Sequence, residues 1–226
     1  MSRTYKELCD QAVVNFEFWT GDIQNRGTAA MAMSVVGTPY FQRIGKMVGL
    51  TQKALADGIT SGNVAAILDV TGTFTLEMAV IGYVSGTDFI LINVGAGSAG
   101  GFVCYRQGPA NNRVTCELYT IAGASARTLV LPVDSSPLGF AIHTVLTSTT
   151  GGTAGAAWVD GLPVVVILGG AGVAANHAGA RPVGAAGGNA GIQSSVLIRA
   201  WQGALDANEV ATLYNAYSTL TVPSKV

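Results

Sequence analysis

Residues 101–121 read GFVCYRQGPANNRVTCELYTI, two runs of alternating character on either side of a short polar segment that contains a proline. Alternation with period two marks a half-buried strand, and two such runs separated by turn residues predict a β-hairpin. With the turn centred on Ala110, Gln107 faces Arg113, Cys104 faces Cys116 and Phe102 faces Leu118. Phe102, Cys104, Val114, Cys116 and Leu118 then share one face, which predicts core, while Tyr105, Thr115, Glu117 and Tyr119 share the other, which predicts an accessible face. The facing cysteines permit a disulfide, although two buried reduced thiols are favoured where no export signal is read.

Outward from this hairpin, strand-like runs recur at short intervals: Val64–Leu68, Phe74–Ile81, Phe89–Val94, Thr128–Val133, Gly139–Thr147, Ala156–Val159, Val164–Leu168 and Ser195–Trp201. Asn15–Trp19 alternates in the same way, and shorter strands are placed at Ala30–Val35 and Met47–Leu50, in a stretch broken by Gly, Thr and Pro. Many short strands between turn residues predict an all-β sandwich and argue against parallel βαβ units. Both ends read as helical. Thr4 and Glu7 form a capping box ahead of Tyr5, Leu8, Cys9 and Ala12; Asp206 and Glu209 form another, with Leu205 stapled to Val210 and an apolar face of Val210, Leu213, Tyr214 and Tyr217.

Two hundred and twenty-six residues suit one sandwich with one core. We read 1–226 as a single domain: 1–14 an N-terminal helical segment, 15–204 the sandwich, 205–218 the closing helix and 219–226 a loose tail. Charged residues make up 11% of the chain, against about 25% in an ordinary soluble domain, and 12 basic against 13 acidic residues leave a net charge of −1. No basic stripe follows a phosphate backbone, so nucleic acid is not expected as a partner. The longest uncharged stretch, Gly161–Ala180, is interrupted by glycines, Pro163, Asn176 and His177, so no membrane helix is expected. The charged start, MSRTYKELCD, does not read as a signal peptide. Three scattered cysteines and the absence of an Asn-x-Ser/Thr sequon point to neither a disulfide scaffold nor glycosylation.

The carboxy-terminal half adds a strand entered through a histidine (Ala141 to Val145), a strand ending in Trp158, Val159, Asp160 and Gly161, a glycine-rich stretch at Gly184–Gly188, and the closing strand, Leu205 and helix. In this order the chain resembles the concanavalin A-like lectin/glucanase superfamily, and within it the laminin-G-like and pentraxin-like domains. More loosely, Tyr5–Trp19, Asp22–Gly27 and Gly45–Gly58 are similar to the family's first helix and strand, its polar turn and a glycine-rich run. The resemblance implies a two-sheet antiparallel jelly-roll sandwich with a short N-terminal and a C-terminal helix. It leaves function open, because this architecture hosts lectins, hydrolases, adhesion modules and virion proteins.

Retaining glucanases of the superfamily place acidic residues alternately along one strand, since acid and nucleophile flank the scissile bond. Here Asp57, Asp69, Glu77, Asp88, Glu117, Asp134 and Asp160 each stand alone, and no catalytic residue is expected. His143 falls at a structural strand position by the resemblance, and His177 lies in a Gly/Ala-rich loop with no nucleophile motif near it. Gly95, Gly97 and Gly100 spell GxGxxG, but a strand follows them where a phosphate site needs a helix N-terminus. Calcium is the ion the resemblance brings in; Asp22, Asn25, Asp160 and Asn189 qualify by type alone and read equally as turn residues. Trp19, Tyr83, Tyr105, Tyr119 and Trp201 are the aromatics able to stack on a sugar, and Tyr105 and Tyr119 beside Glu117 form the expected surface contact.

The leading expectation is a non-enzymatic structural or decoration protein of a virus particle, a bacteriophage capsid or tail, needing no cofactor. Its partners would be capsid or tail proteins and further copies of itself, assembled in the host cytoplasm. The alternative is a lectin-like module that binds a glycan, with or without calcium.

Overall fold

The structure is a computed structural model and describes residues 2–44, 47–54, 56–82, 89–95, 99–107, 113–132, 141–186 and 193–221. Among them two eight-stranded antiparallel sheets pack face to face, with strands numbered in chain order. Sheet I runs β13 (Leu162–Val164), β12 (Ala154–Val159), β11 (Ala141–Thr149), β6 (Phe74–Gly82), β16 (Gln193–Gln202), β4 (Met47–Gln52) and β3 (Tyr40–Ile44), with β1 (Val14–Glu17) also paired to β16. Sheet II runs β14 (Ile167–Gly169), β10 (Ser125–Pro132), β9 (Arg113–Tyr119), β8 (Phe102–Gln107), β7 (Phe89–Val94), β15 (Val183–Ala186), β5 (Gly58–Ser61) and β2 (Met33–Val36). Alternate side chains of both sheets meet in one core, where the rings of Phe74 and Phe102 stack at 5.1 Å across the gap.

The two sheets differ in what covers their outer faces. Helices α1 (Tyr5–Gln11) and α2 (Ala207–Thr221) lie on sheet I, closing Leu8, Ala12, Leu205, Val210 and Leu213 over Val145 and Trp201. The Trp201 indole N–H donates to the Leu8 carbonyl at 2.7 Å, which satisfies its one polar atom and ties α1 to β16. Both capping boxes form: Glu7 N–H donates to Thr4 Oγ1, and Glu209 N–H donates to Asp206 Oδ1 at 2.9 Å. Arg3 grips both Glu209 oxygens, at 2.6 and 2.9 Å, and so joins the N-terminus to α2.

Under the helices lies a buried ionic cluster. Arg199 in β16 donates to Asn15 Oδ1, Glu77 Oε2, the Tyr5 hydroxyl and Glu17 Oε1, all between 2.7 and 2.9 Å. Glu77 and His143 are wholly buried. Burial works against the Glu77 charge, but the Arg199 guanidinium and the His143 bond outweigh it and hold the carboxyl below its ordinary range. An ionised Glu77 only accepts, so His143 Nε2 donates to its Oε1 at 2.8 Å while the ring stacks on Tyr217 at 4.8 Å.

The hairpin of β8 and β9 has the predicted register, with Cys104 against Cys116 and Phe102 against Leu118. Both cysteines are buried free thiols, and burial pushes the Cys104 thiol up. Thr115, expected on the accessible side, is buried between its cross-strand neighbours Tyr105 and Val130.

Other elements depart from expectation for local reasons. Phe18–Thr20 turns into a 3-10 helix, which buries Phe18 and ends β1 at Glu17. Val64–Leu68 forms no strand; Val64 makes a single bridge to Arg181. The run expected at Val164–Leu168 is split, because the chain leaves sheet I after β13 and joins sheet II at β14. Strands β3 and β5 and the central strand β15, hidden in the glycine-rich stretch, were not expected. The closing helix begins at Ala207 and runs to Thr221, so residues 219–221, expected in a loose tail, are helical.

Candidate functional site

Among the described residues no helix lies on the outer face of sheet II, and its register lays out what that face presents. Ser34 pairs with Thr60, Thr60 with Gly184, Gly184 with Asn93, Asn93 with Val103, Val103 with Glu117, Glu117 with Thr128, and Thr128 with Gly169. Directly paired residues point to the same side, so one row crosses all eight strands, polar except at Val103 and the glycines. Glu117 is the one charged residue in it.

Tyr105, Glu117 and Tyr119 all lie on this face, with Tyr105 opposite Thr115, two residues along β9 from Glu117. Tyr105, Glu117 and Tyr119 are each partly exposed, and the Tyr119 hydroxyl donates to Glu117 Oε2 at 2.9 Å. Partial burial, aided by the Glu117 charge, pushes the Tyr119 hydroxyl up to about 12, so it remains a donor at any physiological pH. Tyr105 is the cross-strand partner of Ile90, which forms a wall of a neighbouring pit.

That pit, with a volume of about 180 Å³, is lined by Gly184 together with Val36, Thr60, Ile90, Asn93 and Pro182. Gly184 is required there: a Cβ on it would come to 2.1 Å from the Ile59 carbonyl oxygen. Asp57 also lines the pit, but Thr38, Lys53 and Ala54 donate backbone N–H groups to its two oxygens at 2.8 to 3.1 Å. Those bonds hold its carboxyl below the ordinary value and fix it as a structural anion. Sequence reading missed the pit because β5 and β15 were not read as strands; the available signal was small and polar residues in mid-sheet, Thr60 and Gly184, where a sealed core would carry large apolar ones.

The remaining sequence candidates lie apart from this face. Trp201 is core and Trp19 stacks by its ring over Arg199. Asp22 engages Arg26 and the Gln24 N–H, Asn25 accepts from the N–H groups of Asn15 and Gly27, and Asp160 accepts from the His143 N–H. Tyr83, Asp88, Gly97, Asp134 and Asn189 lie outside the described residues. Among the described residues no group of three His, Cys, Asp or Glu side chains is placed to hold a metal ion. β8 begins at Phe102, two residues after Gly100, the last glycine of the GxGxxG stretch.

His177 is buried against Gly95, with Nδ1 3.2 Å from the Gly179 carbonyl, and burial lowers its pKa. A folded base held below its unfolded value resists protonation, so stability is full above the unfolded pKa, about 6.5, and declines as the pH falls below it. The melting temperature should therefore drop from pH 7 to pH 5, and His177→Gln should flatten that slope; an unchanged slope in the variant would assign the acid sensitivity elsewhere.

No family model matches the chain, and no curated protein matches it. Solved structures do. The botulinum neurotoxin serotype G binding domain superimposes with a TM-score of 0.72 at 12% identity, over 92% of this chain and 51% of that one. The binding domain of Paraclostridial mosquitocidal protein 1 gives 0.70 at 11%, over 93% and 53%. The serotype D botulinum neurotoxin ligand-binding domain in complex with N-acetylneuraminic acid gives 0.71 at 8%, over 92% and 51%. The chain thus spans about half the length of each, and at such low identity what the likeness carries is the fold: a two-sheet β-sandwich of the kind found in these toxin binding domains.

Proposed function

We propose that the chain is a non-catalytic binding module whose open face on sheet II takes a glycan. The observation that carries this is the row from Thr60 to Glu117, over which no helix lies among the described residues, with a pit lined by Gly184 at one end and Tyr105, Glu117 and Tyr119 at the other. A pit of about 180 Å³ is smaller than drug-sized pockets of roughly 300–1,000 Å³ and suits one small ring. Sugar hydroxyls need donors and acceptors at close spacing and an aromatic face to stack on, and Asn93, Thr60, Glu117 and the two tyrosines offer both. Because Glu117 is the charged residue of the row, neutral sugars suit this face better than anionic ones. The solved structures of similar fold are binding domains by description, one with a bound sugar acid, which supports a binding role without locating it.

Hydrolysis is disfavoured by geometry. Asp57, just before β5, and Glu117 in β9 are four strand spacings apart, about 19 Å, whereas glycosidase carboxylates sit about 5 to 9.5 Å apart. A glycan array of neutral and sialylated oligosaccharides, read with and without calcium, tests the proposal. Binding of neutral members without turnover is expected; silence across the array would overturn it.

A second reading, a structural or decoration protein of a virion docked on capsid or tail proteins, draws on the low share of charged residues. Co-sedimentation with particles from infected cells is its expected result, and recovery as a particle-free monomer would end it.

A further inference from the structure

The inner face of sheet II carries a row of side chains from four neighbouring strands. Ile92 in β7 pairs with Cys104 in β8, Cys104 with Cys116 in β9, and Cys116 with Leu129 in β10. All four are buried in the core that also holds Phe74 and Phe102. The two thiols are near enough to hydrogen-bond, and burial together with the neighbouring Cys116 thiol keeps Cys104 protonated. Neither sulfur is therefore set up as a nucleophile.

The ladder puts this pair where a disulfide fits. The Tyr119 N–H donates to the Gly101 carbonyl at 3.0 Å, which makes Gly101 and Tyr119 a hydrogen-bonded pair. Bonded and non-bonded pairs alternate along an antiparallel ladder. The register runs without a break from Phe102 and Leu118 to Gln107 and Arg113, so Val103 and Glu117 are the next bonded pair and Cys104 and Cys116 a non-bonded one. Facing Cα atoms of a non-bonded pair lie about 4.5 Å apart, within the roughly 4.4–6.8 Å that a disulfide bridges, and their Cβ atoms are at their closest cross-strand approach. Cys9 lies in α1, on the outer face of sheet I, and that sheet separates it from the pair.

We propose that Cys104 and Cys116 are a built disulfide site, closed when the chain folds in an oxidising medium; the structure shows its reduced form. The two thiols give up two protons and two electrons, one S–S bond forms between them, and a dissolved disulfide such as glutathione disulfide takes both and is cleaved to two thiols. Because both sulfurs are wholly buried in the folded chain, closure accompanies folding and the finished bond is shielded from thiols in solution. It ties β8 to β9 directly behind Tyr105 and Glu117, each of which follows one of the cysteines and faces the other way. The inference stands independently of the glycan reading.

Refolding of the reduced, urea-unfolded full chain in a glutathione redox buffer tests it, read by thiol alkylation and peptide mapping. The product should be lighter by two hydrogens, with Cys104 linked to Cys116 and Cys9 free to alkylate. Trypsin cuts between the two cysteines, after Arg106 and Arg113, so the linked peptides should separate only on reduction. For a closed loop of this size the bridged chain should melt about 5–10 °C above the reduced one, and the bond should resist dithiothreitol until urea is added. Cys104→Ala and Cys116→Ala should show no such gain in the same buffer. Should refolding fail, the native chain held for days in glutathione disulfide at a urea concentration below its unfolding transition supplies the same map. Thiols that stay free in the experiment that yields folded protein, a bridge through Cys9, or a bridged chain that melts below the reduced one would each overturn the assignment.

Discussion

Arg199→Met should destabilise the fold by about 3–5 kcal/mol, the usual cost of stranding a buried charge. The guanidinium is 1% exposed, and its loss leaves the wholly buried Glu77 with His143 as its remaining hydrogen-bond partner, while Asn15, Tyr5 and Glu17 lose their shared donor. Urea unfolding would read the change directly. The double variant Glu77→Met/Arg199→Met should recover part of the loss, because removing both charges removes the unpaired one. The pH dependence has a definite sign: Glu77 is held below its unfolded value, so its contribution is full above about pH 4.3 and disappears as the pH falls through the lower folded value. Arg199→Met should lose most of that acid-side slope.

Glu117→Ala should weaken glycan binding by roughly 10- to 100-fold, since hydrogen bonds to a charged group contribute about 1.5–3 kcal/mol. The residue is partly exposed and its carboxylate accepts from the Tyr119 hydroxyl, itself at the surface, so the melting temperature should hardly move. Tyr105→Ala should cost less, around tenfold, through lost stacking. Calorimetric titration of both variants with the glycan selected by the array checks the order. Equal affinity in Glu117→Ala and wild type would remove the β8–β9 platform from the site.

How much of this was legible in the sequence follows from which signals are local. The β8–β9 hairpin could be registered residue by residue because its alternation is strict and its loop short, and both helix starts were readable because a capping box spans four residues. β15 was not legible: a central strand reading VGAA has no β-branched run, and its pairing with β5 and β7 joins segments about a hundred residues apart. The split between β13 and β14 was hidden for the opposite reason, since LPVVVILG reads as one apolar run until the sandwich gives it two sheets to join. The Tyr105, Glu117 and Tyr119 cluster could be named because it lies within one hairpin. The pit beside it could not, since Thr60, Asn93 and Gly184 meet only through long-range register.

The central claim is that ligand meets the open face of sheet II. Backbone amide shifts of the isotope-labelled chain, followed by NMR while a neutral oligosaccharide selected by the array is added, test it most directly. Saturable shifts are expected at Thr60, Asn93, Gly184, Tyr105, Glu117 and Tyr119, with β16 and both helices silent. Shifts confined to α1, α2 or the edge strands β3 and β13 of sheet I would contradict it.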